Sequence, residues 1–329
     1  MSSPRFQTPI PKGAALLALL AACLPLQPRA ASAAPAALPR YVLGPPPIGY
    51  GACFRELFDH PDEWAETRSH TDCLLYADHH FNIFADADLA RFFAQMKKWN
   101  LKLELEVGAV KEWKGQTGES TFKNQAPMWD RIQRLGGNIY SLAFDEPLCN
   151  VREYIHKPDE YAIEETAKFI ALVRDKYPQL ILGDIEPYPS IPMEDHIKWI
   201  AALRKRLAEM KVKGLDFYRM DVDWNTLITQ HRGNWGEVKR IQDYCQSTAL
   251  PFSLIYWAAN YGAPGSDDST WYVGTMSQGY AYASVRGAPQ QYVMESWVDG
   301  PSHSVPETAD FTFTRTARDF DRRFVKVKD

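Results

Sequence analysis

From Arg40 onward, short apolar or β-branched runs alternate with longer charged stretches in which apolar residues recur at helical spacing. The runs predict eight strands, at Tyr41–Gly44, Cys73–Asp78, Leu101–Val107, Ile139–Asp145, Leu180–Glu186, Leu215–Asp221, Phe252–Trp257 and Tyr292–Trp297. Helices are predicted between them over Ala87–Trp99, Pro127–Leu135, Tyr161–Lys176, Glu194–Met210 and Trp235–Ser247, with a weaker one near Tyr272–Arg286. Regular strand–helix alternation without a low-complexity linker implies an α/β fold with a parallel sheet. Eight repeats within residues 40–329 fit a single (β/α)8 TIM barrel, for which about 250 residues is typical. A doubly wound open sheet is the alternative, disfavoured because no Gly-rich phosphate loop follows any strand.

The first 39 residues break the pattern. Arg5 and Lys12 precede an apolar run from Gly13 to Leu26, and the small residues Ala30-Ala31-Ser32-Ala33-Ala34 follow, which is the order of a secretory signal. Cleavage before Ala34 makes residues 1–33 a signal peptide and 34–39 a short Pro/Ala-rich linker ahead of a catalytic domain at 40–329. Leu20-Ala21-Ala22-Cys23 also resembles the lipobox of bacterial lipoproteins, which would end the signal before Cys23 and make that residue a lipid anchor. Either way the expected destination is periplasmic or extracellular. No run reaches the roughly 18 apolar residues of a membrane-spanning helix.

With 45% apolar and 24% charged residues, the chain can bury a full-sized core without a metal or disulfide. A net charge of −4 gives no footprint for a polyanion, so nucleic acid is not an expected partner, and a monomer is expected. Cys53, Cys73, Cys149 and Cys245 show no metal-binding spacing. Export permits disulfides among them, with three pairings open alongside buried free thiols.

Functional side chains of such barrels stand at the C-terminal ends of the strands. In Leu101-Lys102-Leu103-Glu104-Leu105-Glu106-Val107, alternation turns Lys102, Glu104 and Glu106 inward, Glu104 reading as a structural ion-pair partner of Lys102 or Arg219 and Glu106 as a residue near the open end. Phe144-Asp145-Glu146-Pro147 and Asp184-Ile185-Glu186-Pro187-Tyr188 each hold an acid before a proline, which stops the strand and keeps the acid at the rim. Tyr140, Leu142 and Phe144 are expected to face the helices, leaving Asp145 inside and Glu146 at the lip. The sixth strand places Arg219, Asp221 and Asp223 on one face, and an arginine among acids favours their ionised forms. Trp257 and Asn260 follow the seventh strand, Glu295 and Trp297 end the eighth, and His79-His80 follow the second. Tryptophan faces suit the C–H surface of a sugar, although they serve equally as lid packing.

Acids at so many strand ends match the inventory of glycoside hydrolysis, in which one carboxyl protonates the leaving oxygen and a second attacks or activates water. The chain resembles the (β/α)8-barrel glycoside hydrolases in general, through Phe144-Asp145-Glu146-Pro147, Glu295-Ser296-Trp297 and the aromatic rims. In their large retaining clan the acid/base ends the fourth strand and the nucleophile the seventh. Asp145-Glu146 occupy the first place, but Trp257 and Asn260 stand at the second and the Asn-Glu pair common at the fourth strand is replaced by Asp-Glu. The expected roles are therefore Glu146 as general acid oriented by Asp145, with Glu186, Asp221 or Glu295 as partner carboxylate. Trp257, Trp297, Glu106, Tyr188, Asn260, His79 and Arg219 are expected to bind a carbohydrate substrate without cofactor or metal. A metal-dependent barrel hydrolase and a non-catalytic carbohydrate-binding envelope protein are the rival readings. The first is weakened by only eight histidines and no His-x-His after strand one, the second by the number of inward acids.

Overall fold

The computed structural model describes residues 37–258 and 262–325. The predicted signal, Cys23 and Asn260 lie outside the described residues. Eight strands, β1 (Tyr41–Gly44), β2 (Cys73–Ala77), β3 (Lys102–Val107), β4 (Ile139–Asp145), β5 (Ile181–Tyr188), β6 (Phe217–Val222), β7 (Phe252–Tyr256) and β8 (Gln291–Glu295), form a closed barrel in sequence order. Each pairs in parallel with the next, and β8 closes on β1. The barrel is a single (β/α)8 domain with long helices outside it, at Asp86–Trp99, Gly118–Arg134, Asp159–Lys176, Met193–Glu209, Trp235–Ser247 and Asp268–Ser284. The helix predicted to begin at Pro127 instead runs through that proline from Gly118. Thr117 caps it by accepting the Ser120 N–H at 3.1 Å, while Ser120 Oγ accepts the Thr117 N–H at 3.2 Å. No helix among the described residues is long and apolar enough to cross a membrane.

Alternation sets the interior. Val42, Cys73, Leu75, Ala143, Ile181, Ile185, Phe217, Ile255 and Val293 pack inside the barrel, while the leucines of β3 pack against the helices. Gly183 on β5 is required here, since a Cβ would stand 2.0 Å from the Phe217 ring that fills the space. Tyr140 departs from the expected pattern. Leu103 pairs with Ile139 but Glu104 with Ser141, so Tyr140 is the extra residue of a β-bulge, and it packs with Leu38 against the interior cluster.

At mid-height the interior is polar. Arg219 and Glu104, both with 0% side-chain exposure, pair at 2.6 Å. Arg219 also donates to Ser253 Oγ (3.0 Å) and Gln291 Oε1 (2.8 Å), and Ser141 donates to Glu104 at 2.7 Å. Lys102 lies instead 4.1 Å over the Tyr140 ring. Cys53, Cys73, Cys149 and Cys245 are buried free thiols.

Candidate active site

Four carboxyl side chains from three strands reach one cleft of about 270 Å³ at the C-terminal end of the barrel: Glu106 from β3, Asp145 and Glu146 from the end of β4, and Asp221 from β6. Ile185, Ile255 and the 41%-exposed Trp297 complete its lining. Asp145 continues the inward face of β4. Glu146 is brought beside it by a left-handed backbone (φ 52°, ψ 51°), which lets Pro147 open the short helix Pro147–Asn150. The Glu146 N–H donates to the Ile185 carbonyl at 3.0 Å, tying the lip to β5.

Like charges in a confined space cannot all ionise. Burial and then the Asp145 charge push the Glu146 carboxyl up to about 7, against the pull of Lys111. Glu106 is likewise raised to about 7, by burial first and Asp145 second. Asp221 is held well above the ordinary range by burial and by Glu146, although the Trp257 indole N–H, donating to its Oδ1 at 2.7 Å, works the other way.

Lys111, which nothing in the sequence singled out, is buried in the loop after β3 with its Nζ 2.6 Å from Asp145. Burial opposes its charge, but Asp145 and Glu146 outweigh that and raise its pKa. The run Lys111-Glu112-Trp113-Lys114 reads as a solvated loop, and only the fold turns its first lysine into the cleft wall.

A second depression of about 230 Å³ adjoins the cleft and shares Glu106 and Trp297 with it. Glu295, Ser296, His79, His80 and Gly44 line it further. Glu295 therefore stands beside Glu106 and does not line the cleft of Glu146. Trp257 packs on Trp297, ring centroids 4.3 Å apart.

Four residues expected at the rim lie elsewhere. Glu186 and Tyr188 project from β5 to the helix side, because Ile181, Gly183 and Ile185 take the inner face. Glu186 is fully buried and accepts the Leu148 and Cys149 N–H groups at 2.6 and 3.1 Å, holding the N-terminus of helix Pro147–Asn150. Tyr188 donates to Glu237 at 2.6 Å. Arg219 lies beneath the site in the mid-barrel ion pair, out of reach of the rim. Asp223, expected beside Asp221, caps helix Trp224–Thr229 by accepting the Thr226 N–H at 3.0 Å. Among the described residues no group of three His, Cys, Asp or Glu side chains is arranged to hold a metal ion.

The raised carboxyls carry a stability consequence with a definite sign. Glu106 and Glu146 move from 4.5 to about 7, and Asp184, buried behind β5, from 3.8 to about 8. Their unfolded forms ionise first, so the unfolded state binds fewer protons in that window and stability falls as pH rises. Thermal melts should show a Tm that declines from about pH 4.5 to about pH 8, with a shallower decline in Glu146→Gln. A Tm that climbs across that window would contradict the protonation states described.

No protein-family model and no curated protein matches the chain. Among solved structures it is similar to a thermostable mutant of a xylanase from Cellvibrio japonicus, at 11% identity and TM-score 0.51, over 82% of this chain and 91% of that one. A psychrophilic glycoside hydrolase family 10 endo-β-1,4-xylanase matches at 12% identity and TM-score 0.51, over 85% and 96% of the two chains. A D-psicose 3-epimerase crystallised with D-fructose matches at 12% identity and TM-score 0.48, over 88% and 99%. At these identities the likeness is one of fold, and the chain has the (β/α)8 barrel that such glycoside hydrolases have.

Proposed function

We propose that the protein is an exported glycoside hydrolase in which Glu146 protonates the glycosidic oxygen and Asp221 supplies the second carboxylate. The observation that carries this reading is that Glu146 and Asp221, from strands on either side of β5, open onto one cleft over Ile185 beside the exposed face of Trp297. A carboxyl at about 7 keeps its proton at mildly acidic to neutral pH and gives it up to a departing alkoxide, which is the requirement for a general acid. Asp221, fixed by the Trp257 indole, faces the sugar, where the positive charge of an oxocarbenium-like transition state favours its ionised form. Asp145, paired to Lys111 at 2.6 Å, keeps its neighbour Glu146 protonated by like-charge repulsion.

Release of reducing ends from a panel of polysaccharides, abolished in Glu146→Gln, tests the activity, and a panel with no hydrolysis overturns it. Export is tested by sequencing the mature N-terminus. Ala34 indicates simple cleavage and a blocked Cys23 a lipoprotein, whereas an intact Met1 in the cytoplasm refutes export.

The two tryptophans have different expected effects. Trp297→Ala removes an exposed ring and should weaken oligosaccharide binding by about 1–2 kcal/mol, as for other ring-face contacts, with Tm nearly unchanged. Trp257→Phe keeps a ring against Trp297 but deletes the donor to Asp221, so it should lower kcat more than it raises KM. Unaltered affinity with a large Tm loss in Trp297→Ala would mark that ring as packing.

A further inference from the structure

The second depression has a chemical character of its own. Glu295, the last residue of β8, is 7% exposed, and its Oε2 is buried without a hydrogen-bond partner. Gly44, its register partner on β1, leaves the room it occupies, since a Cβ there would lie 3.0 Å from Glu295 Cγ. Glu106 faces Glu295 closely enough for the two carboxyls to share a proton, and burial, followed by their mutual repulsion, holds Glu295 well above the ordinary range.

The surrounding cations compensate the pair only in part. Arg219, beneath it, bonds Glu104 at 2.6 Å and its charge offsets some of the upward push on Glu106 and Glu295, while Lys111 is paired to Asp145 and Lys114 to Asp78, each at 2.6 Å. On the β2 side, burial lowers His80 to about 4, so it is neutral, and His79 packs on it at 4.2 Å between centroids. Glu146 and Asp221 in the adjoining cleft add acidity. Acids around this end of the barrel thus outnumber the cations that face them, and the surplus is concentrated on Glu106 and Glu295.

We infer that this depression is a subsite for a sugar unit bearing a free amine, its ammonium group set between Glu106 and Glu295 and its ring against Trp297. The inference rests on the glycoside hydrolase reading only in placing a sugar there. An ammonium between the two acids lets both ionise. The proton they shared passes to solvent, leaving two carboxylates and one R–NH3+. An N-acetylated sugar brings no charge and causes no such release, and a uronic or sulfated sugar is repelled.

The test is calorimetry of the full-length mature protein near neutral pH, in two buffers of different ionisation enthalpy. The probes are fully deacetylated oligomers of glucosamine and of galactosamine, beside their N-acetylated counterparts. At least one amine oligomer should bind about tenfold or more tightly than its acetylated twin, as expected of a charge-assisted contact, with net proton release and a loss of affinity in salt. Glu295→Gln, checked for folding by circular dichroism, should erase the preference, while the proton release is read on the unaltered protein and needs no variant. The inference is overturned if neither amine oligomer binds, if neither is preferred over its twin, or if binding releases no proton. Hydrolysis of a neutral polysaccharide without amine preference would overturn this inference and leave the proposed function standing. Amine preference without hydrolysis of any polymer would do the reverse.

Discussion

Glu146→Gln is expected to lower kcat by about 10²- to 10⁴-fold on a natural glycoside, the range for a lost general acid, with the fold intact. Gln keeps the shape and the left-handed backbone but has no proton to give. Two further readouts separate this from mere disturbance of the cleft. The alkaline limb of the pH–rate profile, set by a carboxyl at about 7, should disappear. A nitrophenyl glycoside, whose leaving group needs little protonation, should be hydrolysed with a much smaller loss. Asp145→Asn should free Lys111 and shift the same limb, because Asp145 raises Glu146 and Lys111 lowers it. If both variants turn over near normally on a proven substrate, the acid lies elsewhere in the site.

Arg219→Met should destabilise the protein by about 3–5 kcal/mol, because it leaves Glu104 charged and fully buried with its cation gone. Ser253 and Gln291 lose a donor at the same time. Combining it with Glu104→Gln should recover most of the loss, since the barrel then holds no unpaired charge. Urea unfolding of the two single variants and the double variant completes the cycle. A loss below about 1 kcal/mol in Arg219→Met would mean that water, a proton or another cation compensates Glu104. Steady-state kinetics on the folded fraction would separate this structural role from the rim position that the sequence suggested.

Alternation made β3 and β6 legible, since apolar and charged residues divide cleanly there and the charged face, Glu104 and Glu106 or Arg219 and Asp221, turns inward. The proline rule, by contrast, misled on β5, where Pro187 was expected to hold Glu186 at the rim. The two faces of that strand are Ile181, Gly183 and Ile185 against Leu182, Asp184 and Glu186, and the apolar one faces inward. The interior at that height is closed by Phe217 over Gly183, and the acids find partners outside, Asp184 in the Trp199 indole at 2.6 Å and Glu186 in a helix N-terminus. No residue within the strand announces those partners. Lys111 was invisible for a similar reason, because only the path of the loop after β3 carries it to Asp145. Glu146 was readable because proline fixes where β4 must stop, while the backbone turn that presents it emerges only in three dimensions.

That turn puts turnover and heat resistance in opposition at a single codon. A residue with a Cβ in the left-handed region gives up about 1 kcal/mol that glycine would not. Glycine at 146 would keep both backbone hydrogen bonds of that N–H and would also remove a carboxyl that is uncomfortable in its charged form above about pH 7. Variants selected for survival on heating alone would drift towards glycine there and emerge hardier but inert, so a directed-evolution scheme that aims to harden this barrel must screen for activity in every round.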